Sequence, residues 1–89
     1  MYNYVMLIGK IISFNESQVV LGLTNPFENI DGFSDTYFLT GFLSEPFLFD
    51  VLSHIGVGQF VSLKGMLLPG NSGQSKFIVE RIIFKEDFD

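Results

Sequence analysis

Residues 36–68, TYFLTGFLSEPFLFDVLSHIGVGQFVSLKGMLL, change the period of their apolar residues twice. Residues 36–43 alternate in a two-residue period, which predicts a strand. Ser44-Glu45-Pro46 is typical of a helix start, with Ser44 as the cap. The apolar residues that follow have helical spacing: Phe47, Leu48, Val51, Leu52 and Ile55. Gly56 and Gly58 end this helix, and residues 59–68 form the next strand.

The segments on either side add three more strands. Residues 4–12 and 18–24 predict a hairpin, and residues 76–84 predict a closing strand. Residues 25–35 form a long loop rich in turn-forming residues. The order is strand, strand, strand, helix, strand, strand, which is the order of the OB-fold, an all-β five-stranded Greek-key barrel. We therefore predict one OB-fold domain over residues 1–89, with residues 85–89 as a frayed tail.

Composition excludes several kinds of chemistry. The chain has 89 residues, no Cys and one His, which excludes a disulfide framework, a Cys zinc site, a cysteine nucleophile and a multi-His metal site. His54 is expected to be structural, and Glu45 and Asp50 to belong to the helix rather than to a catalytic pair. No apolar run is long enough to span a bilayer. We predict a cytoplasmic, non-catalytic protein without a metal, cofactor, small-molecule substrate or membrane partner.

Short motifs along the chain resemble bacterial single-stranded DNA-binding proteins. NYVMLIGKI at residues 3–11 is similar to the first strand of that family, and Val61-Ser62-Leu63-Lys64-Gly65 matches its V-x-L-x-G pattern. Residues 71–74 resemble its last hairpin tip and residues 78–84 its closing strand. The resemblance implies an OB-fold that binds single strands. The sequence departs from the family in that we expect no C-terminal recruiting extension. Phe38 falls at a stacking position of the family, whereas Ser44 occupies another and cannot stack.

The candidate site combines aromatic rings with cations. Single-strand binding uses rings on which bases stack and a groove that follows the phosphates. Phe38 and Phe42 should point to the same side of their strand, presented about one base step apart, or else pack under the helix or in a subunit contact. The cations are either a phosphate track or ordinary surface charges. The predicted nucleic-acid-binding residues are Phe38, Phe42, Thr40, Lys10, Lys64, Lys76, Arg81, Phe27 and Phe33.

Two hypotheses for function stay open on the sequence. The first is a single-stranded DNA-binding role in replication, repair or restart, with RNA as an open alternative ligand. The family resemblance implies pairing of subunits through the first strand, at Tyr4, Met6 and Ile8, as a homodimer or homotetramer. The second is a protein-interaction module of the primosomal type, which the net charge of −5 and Ser44 favour.

Overall fold

The computed structural model describes residues 3–24, 36–70 and 75–84. They form a closed barrel in the strand order β1-β2-β3-β5-β4, with a helix between β3 and β4, as predicted for the OB-fold. The elements are β1 (Asn3–Phe14), β2 (Gln18–Thr24), β3 (Thr36–Leu43), α1 (Phe47–Ile55), β4 (Phe60–Leu68) and β5 (Lys76–Phe84). The bounds of β2, β3 and β5 are those predicted from the sequence.

Strand β1 is long enough to pair with two neighbours. Its residues 3–10 pair antiparallel with β4, and its end pairs antiparallel with β2. The register with β2 shifts between Ile11 and Ser13, which marks a bulge that bends the strand. Lys10 belongs to both ladders, because it lies opposite Gly22 on β2 and Phe60 on β4. The barrel closes where β3 and β5 pair in parallel, from Gly41–Phe77 to Leu43–Val79.

Gly65 allows β4 and β5 to approach closely beside a register shift. A Cβ atom at this position would collide with the backbone carbonyl of Ile78. Backbone atoms cannot move aside as a flexible side chain can, so a residue without a side chain is required. Gly65 therefore stabilises the sharp coil that the closed barrel needs.

The core lies inside the barrel and beneath α1. Leu48 and Leu52 of the helix are buried with side chains from four of the strands, and α1 contacts β5. Successive residues of a strand point alternately into and out of the barrel. The residues next to these inward residues along each strand therefore form most of the outer surface. The buried apolar residues are Ile11, Val19, Leu21, Leu48, Leu52, Val61, Leu63, Phe77 and Val79.

The start of α1 differs from the prediction. Pro46, not Ser44, directly precedes the helix, and no side-chain hydrogen bond caps it. The N–H groups of Leu48 and Phe49 donate instead to the backbone carbonyls of Glu45 and Pro46. The backbone turn satisfies these donors, so the predicted cap at Ser44 is wrong.

A membrane-crossing helix is not found in the described ranges, where α1 has nine residues.

Candidate nucleic-acid interface

Alternate residues of β3 face outward and carry two aromatic rings. Phe38 is 66% exposed, Thr40 is exposed and Phe42 is partly buried. A Phe side chain this open to solvent is not packed beneath the helix, so Phe38 presents its ring at the surface. Phe38 and Phe42 are four residues apart, which is about 13 Å along a strand. The predicted spacing of one base step between the two rings is therefore wrong.

The register of the barrel places Phe38 in a row that crosses four strands. Phe38 lies opposite Gly22, Gly22 lies opposite Lys10, and Lys10 lies opposite Phe60. Phe60, at the start of β4, is 51% exposed. The row thus has an aromatic ring at each end, a cation beside one ring and a glycine between them.

The sequence analysis missed Phe60. Its neighbour Val61 is buried, so strand alternation turns Phe60 outward. That alternation was visible in QFVSL at residues 59–63, with Val61 and Leu63 as the inward residues. What the sequence did not contain was the pairing of Phe60 with Lys10, because that contact depends on the register between β1 and β4.

Two of the predicted cations lie over phenylalanine rings. The Lys10 Nζ is 5.4 Å from the centre of the Phe60 ring, and the Lys76 Nζ is 4.4 Å from the centre of the Phe42 ring. Both distances are within the range of a cation–π interaction, worth about 0.5–1 kcal/mol at an exposed site. Phe60 and Phe42 therefore each have a positive charge beside the ring, although the chain has a net charge of −5. We call this outer surface the aromatic face; its described members are Phe38, Thr40, Phe42, Lys10, Gly22, Phe60 and Lys76.

The other two predicted cations lie elsewhere on the barrel. Lys64 and Arg81 are directly opposite each other on β4 and β5. They line a cavity of about 530 Å³ together with Tyr4 and Glu80. The structure therefore divides the four predicted strand cations into two pairs, and of these four only Lys10 and Lys76 lie over rings of the outer surface.

A separate run of large apolar side chains follows the first half of β1. Tyr4, Met6 and Ile8 all point outward and are 56%, 55% and 67% exposed. We call these three residues the apolar stripe; they lie opposite Met66, Lys64 and Ser62 of β4. The predicted oligomerisation residues are thus at the surface, in the part of β1 that pairs with β4.

The remaining candidates add no member to the described part of this surface. Phe27 and Phe33 lie outside the described residues. Ser44 is exposed and has no ring. In the part of the chain that the structure describes, no group of three or more His, Asp or Glu residues could hold a metal ion. The His54 Nδ1 is 2.8 Å from the backbone oxygen of Asp50, one turn earlier on α1.

Comparisons with known proteins bear on the fold. No family model and no curated protein matches the chain. Among solved structures, a small single-stranded DNA-binding protein from Mycoplasma pneumoniae is similar, with a TM-score of 0.71, 16% identity, and 97% of each chain covered. A small single-stranded DNA-binding protein from Streptomyces coelicolor has a TM-score of 0.68 and 16% identity, over 96% of this chain and 94% of that one.

A mitochondrial single-stranded DNA-binding protein from S. cerevisiae has a TM-score of 0.67 and 10% identity, over 96% of this chain and 94% of that one. These likenesses run over nearly the whole barrel, and they confirm the fold that the sequence resemblance implied. The chain has the OB-fold of small single-stranded DNA-binding proteins.

Proposed function

We propose that this protein binds single-stranded DNA through the aromatic face, without catalysis. The observation that carries the proposal is Phe38, a two-thirds exposed ring in register with Lys10 and Phe60. An exposed ring offers a stacking surface to any unpaired base, and a cation beside it can meet the adjoining phosphate. In a duplex the faces of the bases are stacked on each other, so this surface favours single strands.

The balance of forces differs from that of a strongly basic binding protein. Among the cations that the structure describes, only Lys10 and Lys76 lie over rings, so the proposal has about two phosphates neutralised. For single strands, two contacts give a log–log salt slope of about −1.4, or a loss of about 25-fold in affinity for a tenfold rise in salt. Base stacking, at about 1–3 kcal/mol for each ring, therefore supplies most of the affinity.

The apolar stripe supports a proposal about assembly. Three large apolar side chains in a row on β1 favour a contact with a second copy of the chain, since such a patch is costly to leave in water. Two barrels on one strand would raise affinity by avidity without a new kind of contact. We extend the proposal to a cytoplasmic homodimer or homotetramer that holds single strands during replication, repair or restart.

Direct binding tests the proposal. Fluorescence anisotropy of a labelled dT 30-mer is measured at 20 mM and 200 mM NaCl, with duplex DNA of the same length as control. The proposal expects saturable binding to the single strand, much weaker binding to the duplex, and a loss of affinity of about 25-fold at the higher salt. A matching rU 30-mer separates a preference for DNA from one for RNA. No binding to the single strand at 20 mM NaCl would contradict the proposal and favour the protein-interaction hypothesis.

A further inference from the structure

The last residues of β5 are paired along one edge only. β4 pairs with β5 as far as Phe84, whereas β3 pairs with the opposite edge only from Phe77 to Val79. Within the described residues, no strand lies along this opposite edge over residues 80–84. The backbone N–H and C=O groups of such an edge can hydrogen-bond to an added strand. The end of β5 can therefore accept an extended segment.

An apolar groove adjoins this edge, between α1 and the end of β5. Its volume is about 400 Å³. We call it the α1–β5 groove; its apolar walls are Phe47, Val51, Ile55, Ile82 and Phe84. The three helical residues recur every four positions, so they share one face of α1. Phe47 is exposed and the other four are partly exposed, which leaves the walls accessible to a partner.

The charge of the groove favours a basic segment. Its polar lining residues are Asp50 and His54, and both are exposed. Asp50 supplies a negative charge, and among the described residues no Lys or Arg lines the groove. The chain as a whole has a net charge of −5. A segment that carries Lys or Arg therefore complements this surface, whereas an acidic segment is repelled by it.

We propose that the α1–β5 groove binds an extended segment of another protein, with alternating basic and apolar residues, that adds a strand to β5. The backbone of the segment pairs with residues 80–84, and its apolar side chains lie against Phe47 and Val51. A Lys or Arg of the segment pairs with Asp50. The groove shares no residue with the aromatic face, so this interaction goes beyond single-strand binding and does not depend on it.

A synthetic peptide tests the added strand. The probe is fluorescein-labelled KVKVKVK with an amidated C-terminus, titrated with the protein at 50 mM NaCl and followed by anisotropy. Saturable binding is expected. The same peptide N-methylated at every internal residue keeps its side chains and loses its amide donors, and it should bind at least about 5-fold more weakly. Equal binding of the two peptides, or no binding of the first, would overturn the proposal.

Charge reversal at Asp50 tests the orientation of the partner's cation. Asp50→Lys should weaken binding of the KVKVKVK peptide by about 2- to 25-fold, because an attraction becomes a repulsion. Glu16→Lys is the matched control, since it changes the net charge equally at an exposed site that does not line the groove. Thermal unfolding checks both variants, with Asp50→Asn as the milder change if Lys destabilises α1. Equal losses in the two charge reversals would overturn the assignment to the groove.

Amide chemical shifts of the ¹⁵N-labelled protein locate the bound peptide. The largest shifts are expected in α1 and residues 80–84, with the aromatic face unshifted. Shifts centred on the aromatic face or on the apolar stripe would overturn the proposal. Shifts of α1 and residues 80–84 that depend on protein concentration without peptide would assign the groove to a second copy of the chain and would also overturn it.

Discussion

Replacing Phe38 by alanine separates binding from stability more cleanly than any other change on the aromatic face. Phe38 is 66% exposed, so about one third of its side chain is buried. For a side chain of about 200 Å² this is about 70 Å², worth at most about 1.7 kcal/mol of folding free energy. By contrast, truncating the buried Phe77 should cost about 3–5 kcal/mol. Phe38→Ala is therefore expected to remain folded at room temperature.

Affinity should fall much more clearly. If one base stacks on Phe38, its removal costs about 1–3 kcal/mol of binding free energy, or about 5- to 150-fold in Kd. The slope of affinity against salt should stay the same, because no cation is removed. Anisotropy of the labelled dT 30-mer at several NaCl concentrations measures both quantities, and thermal unfolding of the same samples measures stability.

Phe47→Ala is the matched control. Phe47 is 55% exposed, close to the exposure of Phe38, but it lies on α1 beside Asp50 and His54 rather than on the aromatic face. Its removal deletes an equally accessible ring and should leave Kd unchanged. Equal binding by Phe38→Ala and the unsubstituted protein would refute the stacking argument. An equal loss of affinity in Phe47→Ala would show that removing any exposed ring weakens binding, whichever surface the ring lies on.

Three further results are expected. Lys10→Ala and Lys76→Ala should each make the log–log salt slope shallower by about 0.7, because each removes one phosphate contact; unchanged slopes in the salt titration would contradict the assignment. Gly65→Ala should lower the thermal midpoint strongly, since the new Cβ would collide with the Ile78 backbone carbonyl, and a wild-type melting curve would mean that the strands can separate at little cost. Met6→Glu should shift the protein to monomers in sedimentation velocity by charging the apolar stripe, and an unaltered distribution of species would place the subunit contact elsewhere.

The sequence predicted the elements well because local patterns determine them. Two-residue alternation and flanking turn residues predicted the bounds of β2 and β3. Helical spacing of apolar residues between Pro46 and Gly56 predicted α1. The prediction at Ser44 was wrong because the sequence pattern could not show that backbone carbonyls of the preceding turn accept the first helical N–H groups.

The site was predicted only in part, because it depends on register. The outward direction of Phe38 follows from alternation within one strand. The row from Phe38 to Phe60 requires three inter-strand registers, and no local pattern contains them. The same is true of the cations: Lys64 and Arg81 come together through the β4–β5 register, while Lys10 pairs with a ring on β4.

The central claim is that single-stranded DNA binds on the aromatic face, which spans the outer surface of β1, β2 and β3 and the first residues of β4 and β5. Amide chemical shifts of the ¹⁵N-labelled protein, followed during titration with a short dT oligomer, test it most directly. The account predicts that the largest shifts cluster at Phe38, Thr40, Gly22, Lys10 and Phe60, and that α1 is unaffected. Shifts centred on α1, or saturating amounts of oligomer that leave the aromatic face unshifted, would contradict it.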